Sequence, residues 1–407
     1  MNDFQEYITE QQNTHMTHIE DKVLYGGVDG TRQAINALRE LRNLLGGKRG
    51  SRVSVKWDGA PAIFAGIDPR DGEFFVAKKS IFNKNPKVYK TDAAVDADTS
   101  GDLAIKLKDA LKYLPALGIK GVIQGDFLFG RGDVQTEEID GENYSTFHPN
   151  TLVYAIPYKQ AVEVRRAKIG IVWHTSYTGN TFETMRASYG VDVASLNNSR
   201  HVWSQDAMLN DMRGATLTKR ETESVNEMLS TIGRLFNSVS GTTLRELEGN
   251  QTLAQHIEQF NNTYVREGQT VTDTRAHTAK LIRWIKAKYQ KEINARKTTR
   301  GKTTQQRKLD DLLSFFSTEN RANLIKIFEL QKLIVLAKLK LINKLNSIGN
   351  FKTFVKSTKG YKVAGQEGFV AIDTLGGDAV KLVDRMEFSY NNFSPKILKG
   401  WQTPKRR

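Results

Sequence analysis

Val53-Ser54-Val55-Lys56-Trp57-Asp58-Gly59 is the stretch on which the reading of this chain turns. Apolar and polar residues alternate up to Lys56, the period of a half-buried strand. An acid and a glycine follow within three residues. A lysine at the end of a buried strand becomes a nucleophile once its ammonium gives up a proton, which desolvation or a neighbouring positive charge favours. Gly59 lets the backbone pass close to a ligand, and Asp58 is placed to orient a ribose, the lysine or a water. The same string also describes an ordinary hairpin with a surface lysine and an Asp-Gly turn. Its meaning therefore depends on the rest of the chain.

Further charges sit on strands elsewhere. Asp126 lies inside Gly125-Asp126-Phe127-Leu128-Phe129, Glu367-Gly368 opens the apolar run Phe369-Val370-Ala371-Ile372, and Lys381 lies within Val380-Lys381-Leu382-Val383. An acid in an apolar strand must be paired, metal-bound or at the strand end. If Asp126 and Glu367 face one pocket, they form a hard-cation site for Mg²⁺ or Mn²⁺ with phosphate oxygens; pairing with surface lysines is the simpler alternative. Lys381 is a candidate for holding a phosphate, with Arg385 four residues on, although edge strands favour lysine for other reasons. Tyr154 and Trp173 stand on two strands. Either could stack on a purine, and either could equally be core.

The bulk numbers narrow the classes. The 407 residues leave room for two domains, and 39% hydrophobic content supplies a core. No apolar run approaches the roughly 18 residues that span a membrane. The first fifteen residues have neither a basic start nor an apolar stretch and do not read as a signal peptide. The absence of cysteine excludes disulfides, thiolate metal sites and cysteine catalysis, and fits a cytoplasmic protein. The net charge is +15, and residues 271–350 hold 18 Lys and Arg against 6 Asp and Glu. A basic excess this focused points to a polyanion, most simply nucleic acid, with a solvated lysine-rich helical face as the alternative.

Periodicity divides the chain. Residues 1–50 read as an N-terminal helical segment, with a start at Asp29-Gly30-Thr31, apolar positions from Ala34 to Leu45 and a stop at Gly46-Gly47. Residues 51–180 read as a β-rich unit with strands near 52–56, 62–66, 73–77, 121–129, 151–156 and 169–174, and turns at Asp58-Gly59 and Asp71-Gly72. Residues 181–350 read as a basic helical insertion, with a polar, mobile loop at 297–304. Strand character returns in 351–395, at 361–373 and 379–384 around a Leu375-Gly376-Gly377-Asp378 turn, and 396–407 is a basic tail. Gly301-Lys302-Thr303 falls short of a phosphate-binding loop, because Arg296 stands where its first glycine belongs. The seven histidines show no metal-ligand spacing.

The order Lys-x-Asp-Gly, Gly-Asp on a strand, an aromatic strand, Glu-Gly-Phe-Val and Val-Lys-Leu-Val resembles the covalent nucleotidyltransferase superfamily of ATP-dependent RNA and DNA ligases and mRNA-capping guanylyltransferases. The likeness covers 51–180 and 351–390. The segments 146–151 and 168–175 are also similar to proteins of large tailed bacteriophages, which would place the protein in the host-cell cytoplasm. The resemblance implies an α+β fold, an antiparallel-sheet nucleotidyltransferase (ATP-grasp-like ligase) core with N-terminal helices and a large helical insertion. It implies ATP and Mg²⁺ (or Mn²⁺) as cofactors, and Lys56 as the residue that carries AMP, with Asp58 and Gly59 completing its motif. Asp126 would lie near the ribose, Tyr154 or Trp173 would stack on the base, and Glu367 would be linked to the metal. Lys381 would act as the first phosphate-binding lysine, and Lys79 would supply a basic segment. Val383 stands where the family often has a second lysine, which leaves Arg385 or Lys362 to compensate. Only 22 residues follow Arg385, too few for the C-terminal domain of DNA ligases, so the expected activity is RNA ligase-like, with RNA ahead of DNA as the partner of 271–350. The alternatives are a catalytically inactive nucleic-acid-binding protein on the same fold, a guanylyltransferase, and an AMP transferase.

Overall fold

The computed structural model describes residues 16–48, 52–209, 215–348, 351–372 and 379–402. The expected turn at 375–378 and the first fifteen residues lie outside them. The chain opens with helices α1 (Lys22–Tyr25) and α2 (Gly27–Leu45), then strands β1 (Arg52–Lys56), β2 (Ala62–Ile67) and β3 (Phe74–Ala77). Helices α3 (Asp92–Asp98) and α4 (Gly101–Tyr113) precede β4 (Val122–Phe129), β5 (Gln135–Ile139), β6 (Glu142–Phe147) and β7 (Leu152–Pro157). Helix α5 (Val162–Arg166) leads to β8 (Ile169–Thr178), β9 (Arg186–Tyr189) and β10 (Val202–Asp206). Helices α6 (Lys219–Asn237), α7 (Gly241–Gly249), α8 (Gln251–Arg266), α9 (Thr274–Ala295), α10 (Thr299–Ser314) and α11 (Thr318–Leu345) follow. Strands β11 (Lys352–Ser357), β12 (Gly360–Val363), β13 (Gly368–Ile372) and β14 (Ala379–Leu382) and helix α12 (Arg385–Phe393) come last.

The strands form three sheets, antiparallel except for the β8–β10 pair. A three-stranded sheet runs β1-β13-β14, a second runs β10-β8-β4-β2-β3 with β9 on β8, and a third runs β12-β11-β7-β6-β5. The first and third each combine strands from before and after the long helical stretch, so the β-rich unit is split in sequence but joined in space. The first two sheets touch through the chain after β10: Val55 N–H donates to Ala207 and Leu209 N–H to Val53.

The helices are not a satellite. Ile35, Leu38, Leu41 and Leu45 form one stripe of α2 and are buried; each contributes about 1.5–3 kcal/mol. They share a core with Leu281, Ile327 and Leu341 of the later helices and with Phe369, Ala371 and Leu382 of the first sheet. The helical block therefore backs the sheet that carries Lys56 and Lys381.

Several sequence boundaries shift. β9 and β10 pair with β8, so sheet structure continues past residue 180 and the helical stretch starts at Lys219, where Thr218 and Glu221 form a reciprocal capping box. Residues 299–304 belong to α10 rather than to a loop, because Thr298 caps that helix by accepting from Gly301 N–H; a polar helix start has the composition of a loop. The first long helix begins at Gly27, ahead of Asp29-Gly30-Thr31. Asp58-Gly59 is not a hairpin turn, since β1 and β2 lie in different sheets.

Candidate active site

A cleft of about 280 Å³ opens between the first and second sheets, and Lys56, Lys79, Asp126, His174 and Lys381 line it. Strand pairing explains the convergence. Lys56 ends β1 opposite Gly368 of β13, and Glu367 is the residue before. Lys381 on β14 faces Val370 of β13. Lys79 follows β3, and Asp126 comes from β4, two strands of the second sheet.

Lys56 Nζ donates to Glu367 Oε1 in a close ion pair. Only 9% of the Glu367 side chain is accessible. Its burial outweighs the pull of Lys56, and its pKa is pushed up to about 7. Asp126 is likewise pushed up to about 7 by burial, against Lys56. Its side chain keeps 23% accessibility, so water in the cleft moderates the shift, and the direction is toward a neutral carboxyl. Burial, reinforced by Lys56, lowers the pKa of Lys381. The cleft thus holds Asp126 beside three lysines; Glu367 lines a separate, smaller pocket with Asp58, Thr151 and Gly368, and meets the cleft only through its ion pair with Lys56. Asp126 and Glu367 therefore do not face one pocket, and Asp126 is the carboxylate that the cleft itself offers to Mg²⁺ or Mn²⁺, beside phosphate oxygens. Among the described residues no group of three or more His, Asp or Glu collects at one point, so the remaining ligands would be phosphate and water.

Asp58 and Gly59 act on architecture. The Asp58 carboxylate is buried and accepts from Asn150 Nδ2 at 2.7 Å, Thr151 N at 2.6 Å and Leu152 N at 2.7 Å. Burial raises its pKa, and these donors pull it back. Three of its lone pairs are taken by the turn before β7, which ties the Lys56 end of β1 to that turn. A Cβ at Gly59 would lie 2.6 Å from Asp126 Cβ; the glycine lets the lysine turn sit against β4.

Three expected nucleotide contacts are corrected. Tyr154 is fully buried, its ring lies between Trp57 and Phe147, and its hydroxyl accepts from Asp58 N at 2.7 Å. Trp173 is also fully buried and donates to Ser204 Oγ. Neither offers a ring face to a base. Arg385 lies outside the cleft, donating to Asp21 at 2.8 Å and to Asn262. It cannot replace the missing second lysine; Lys79 is the additional cation the cleft holds. Lys362 is exposed on β12, in the third sheet.

The cleft adds residues that no sequence motif marks. Tyr177 and Tyr189 line it, and Tyr177 donates to Gln124 Oε1 at 2.7 Å. The β4–β8 ladder skips one residue, Gln124 facing Thr175 and Gly125 facing Trp173. The extra residue is His174, aimed into the cleft with Nε2 3.7 Å from Asp126. Burial lowers its pKa to about 4.

A second feature is a basic surface. On α9 and α10 the side chains of Arg275, Lys280, Arg283, Lys286, Lys291, Arg300, Lys302, Arg307 and Lys308 are exposed. The lysines of α11 differ: Lys338 is buried against Glu20, and Lys344 pairs with Glu221. The basic excess of 271–350 thus faces solvent mainly on the α9–α10 hairpin. No helix among the described residues is long and apolar enough to cross a membrane.

The profile of a family of unknown function, DUF6267, matches residues 13–396. No curated protein and no solved structure matches the chain.

Proposed function

We propose that this chain, which belongs to the DUF6267 family, is an ATP-dependent RNA ligase-like nucleotidyltransferase that loads AMP onto Lys56 and passes it to a 5′-phosphate nucleic-acid end for sealing. One observation carries the reading: Lys56, Lys79, Asp126 and Lys381, from four separate segments, line one cleft, with Glu367 paired to Lys56.

Lys56 first transfers a proton to Glu367, whose pKa of about 7 suits it to accept one. The freed amine attacks the α-phosphorus of ATP. An N–P bond forms, the P–O bond to the β-phosphate breaks, and pyrophosphate leaves with the electron pair. Lys79 and Lys381 balance the charge on the phosphates. Asp126, with phosphate oxygens and water, would hold Mg²⁺ or Mn²⁺, which when bound draws charge from the phosphate oxygens; Glu367 serves as the proton acceptor. AMP then passes to a 5′-phosphate, and a 3′-hydroxyl displaces it. The α9–α10 hairpin supplies a phosphate-binding surface for the acceptor strand, RNA by this reading.

The test is intact mass and peptide mapping after incubation with ATP and Mg²⁺. The reading requires a gain of one AMP, mapped to Lys56. A nucleic-acid-binding protein that transfers no nucleotide is the second reading, favoured by Val383, buried where a second lysine is expected; it requires salt-dependent binding and no adduct.

A further inference from the structure

Two segments near the end of the chain carry bases and no acids. Residues 352–366 hold four lysines and residues 388–407 hold five lysines and arginines, and neither holds an Asp or Glu. The two lie together. Leu398 N–H donates to the Lys356 carbonyl at 2.9 Å, Ser357 bridges to Ile397, and Lys399 Nζ donates to the Asn391 carbonyl of α12 at 2.7 Å. Lys352 and Lys356 are paired with Glu142 and Glu137. Lys359, Lys362 and Lys396 are exposed, and their ammonium groups have no acidic partner among the described residues.

Aromatic rings share this surface. Four large aromatic side chains are exposed among the described residues, and three of them, Tyr390, Phe393 and Trp401, fall within twelve positions. Phe393 is 71% exposed and Trp401 70%. None of the three rings packs against another ring or a cation among the described residues. Tyr390 and Phe393 are three positions apart on α12 and so share a face, while Glu387, Phe388 and Asn391 line the pocket of Glu367. The Lys399–Asn391 contact ties the segment that carries Trp401 to the same helix. Clustered exposed apolar surface marks an interaction site, and the unpaired lysines select an anionic partner. A duplex offers phosphates but keeps its bases stacked inside. A single strand offers phosphates and open ring faces together.

We propose that Phe393 and Trp401, flanked by Lys396 and the lysines of the β11–β12 hairpin, form a stacking platform for single-stranded nucleic acid, separate from the α9–α10 hairpin. The platform shares the nucleic-acid partner of the reading above and does not require Lys56 to react with ATP.

Equilibrium binding of the full chain to oligouridylate, to an abasic strand with the same number of phosphates and to an RNA duplex tests this, read by anisotropy and by tryptophan fluorescence. Oligouridylate should bind at least about fivefold more tightly than the abasic strand or the duplex, and should quench tryptophan fluorescence. Trp401→Ala and Phe393→Ala should each weaken oligouridylate binding by roughly 5- to 150-fold, the worth of one stacked base. The salt slope and the affinity for the abasic strand should stay as they are. Trp401→Phe should keep the affinity and lose the quench, which separates Trp401 from Trp284 on α9. Charge reversal on the α9–α10 hairpin should leave the quench at saturation in place, and every variant should form any adduct on Lys56 that the unmodified chain forms. Equal affinity for the abasic strand, a quench that survives Trp401→Phe, or a Trp401→Ala chain that loses self-association and keeps full RNA binding would overturn the proposal.

Discussion

The Lys56 ammonium donates to the Glu367 carboxylate although 311 residues separate them. β1 and β13 are neighbours in one sheet, with Lys56 opposite Gly368. The ion pair therefore exists only once both halves of the split β unit have assembled, and in the proposed reaction Glu367 is the proton acceptor for Lys56.

Replacing that acceptor separates chemistry from binding. Glu367→Gln should slow adduct formation by about 10²–10⁴-fold, the usual worth of a positioned general base, while ATP affinity changes far less. The working form of Glu367 is the carboxylate, and its pKa is about 7. The rate in the unmodified chain should therefore rise with pH between about 6 and 8, and Glu367→Gln should flatten that limb. A pH–rate profile of single-turnover adenylylation reads both effects.

Asp126 sets an opposite pH dependence on stability. Its folded pKa, about 7, lies above the ordinary aspartate value. Its stability contribution is thus complete below about pH 4 and is lost as pH rises through 7. Asp126→Asn should stabilise the chain at pH 8 by about 1–3 kcal/mol, with the gap closing by pH 4. Urea unfolding at the two pH values measures the difference. Asp126→Asn should also impair adduct formation, the trade expected where a site is held against its own stability.

Asp58 should behave as a structural anchor. Asp58→Ala leaves the Thr151 and Leu152 N–H groups and the Asn150 amide without their acceptor. Loss of at least about 3 kcal/mol of stability is expected, measurable by urea denaturation. Unaltered stability would remove the positional role assigned to it.

The basic hairpin should act on affinity alone. Charge reversal at Lys286, Lys291, Arg300 and Lys302 should weaken RNA binding. The slope of log K against log salt should flatten by roughly 0.7 for each single-strand phosphate that is no longer neutralised. Adduct formation on Lys56 should be unaffected, because these side chains lie on helices away from the cleft. Filter binding across a salt series, with the adduct assay in parallel, separates the two.

Much of the site is legible in the sequence because charge on an apolar strand is a conspicuous anomaly: Lys56, Asp126, Glu367 and Lys381 stand out from their neighbours without any knowledge of the fold. The aromatics do not, because alternation marks two faces without saying which meets the ligand. Trp173 and His174 are consecutive on β8, and only the skipped ladder position shows that the histidine faces the cleft. β5, with Gln135, Glu137 and Glu138, lacks the apolar signature of a strand, although it pairs fully with β6. Arg385 is opaque for a different reason. Its partners Glu20, Asp21 and Asn262 lie at least 123 positions away, and no local pattern announces such a network.

The central claim is that Lys56 is a nucleophile toward a nucleotide. Incubation with α-labelled ATP and Mg²⁺, followed by denaturing electrophoresis, tests it most directly. The account predicts label on the unmodified chain, none on Lys56→Ala and little on Lys381→Ala, with GTP labelling poorly beside ATP. Absence of covalent label, or label that survives Lys56→Ala, would contradict it.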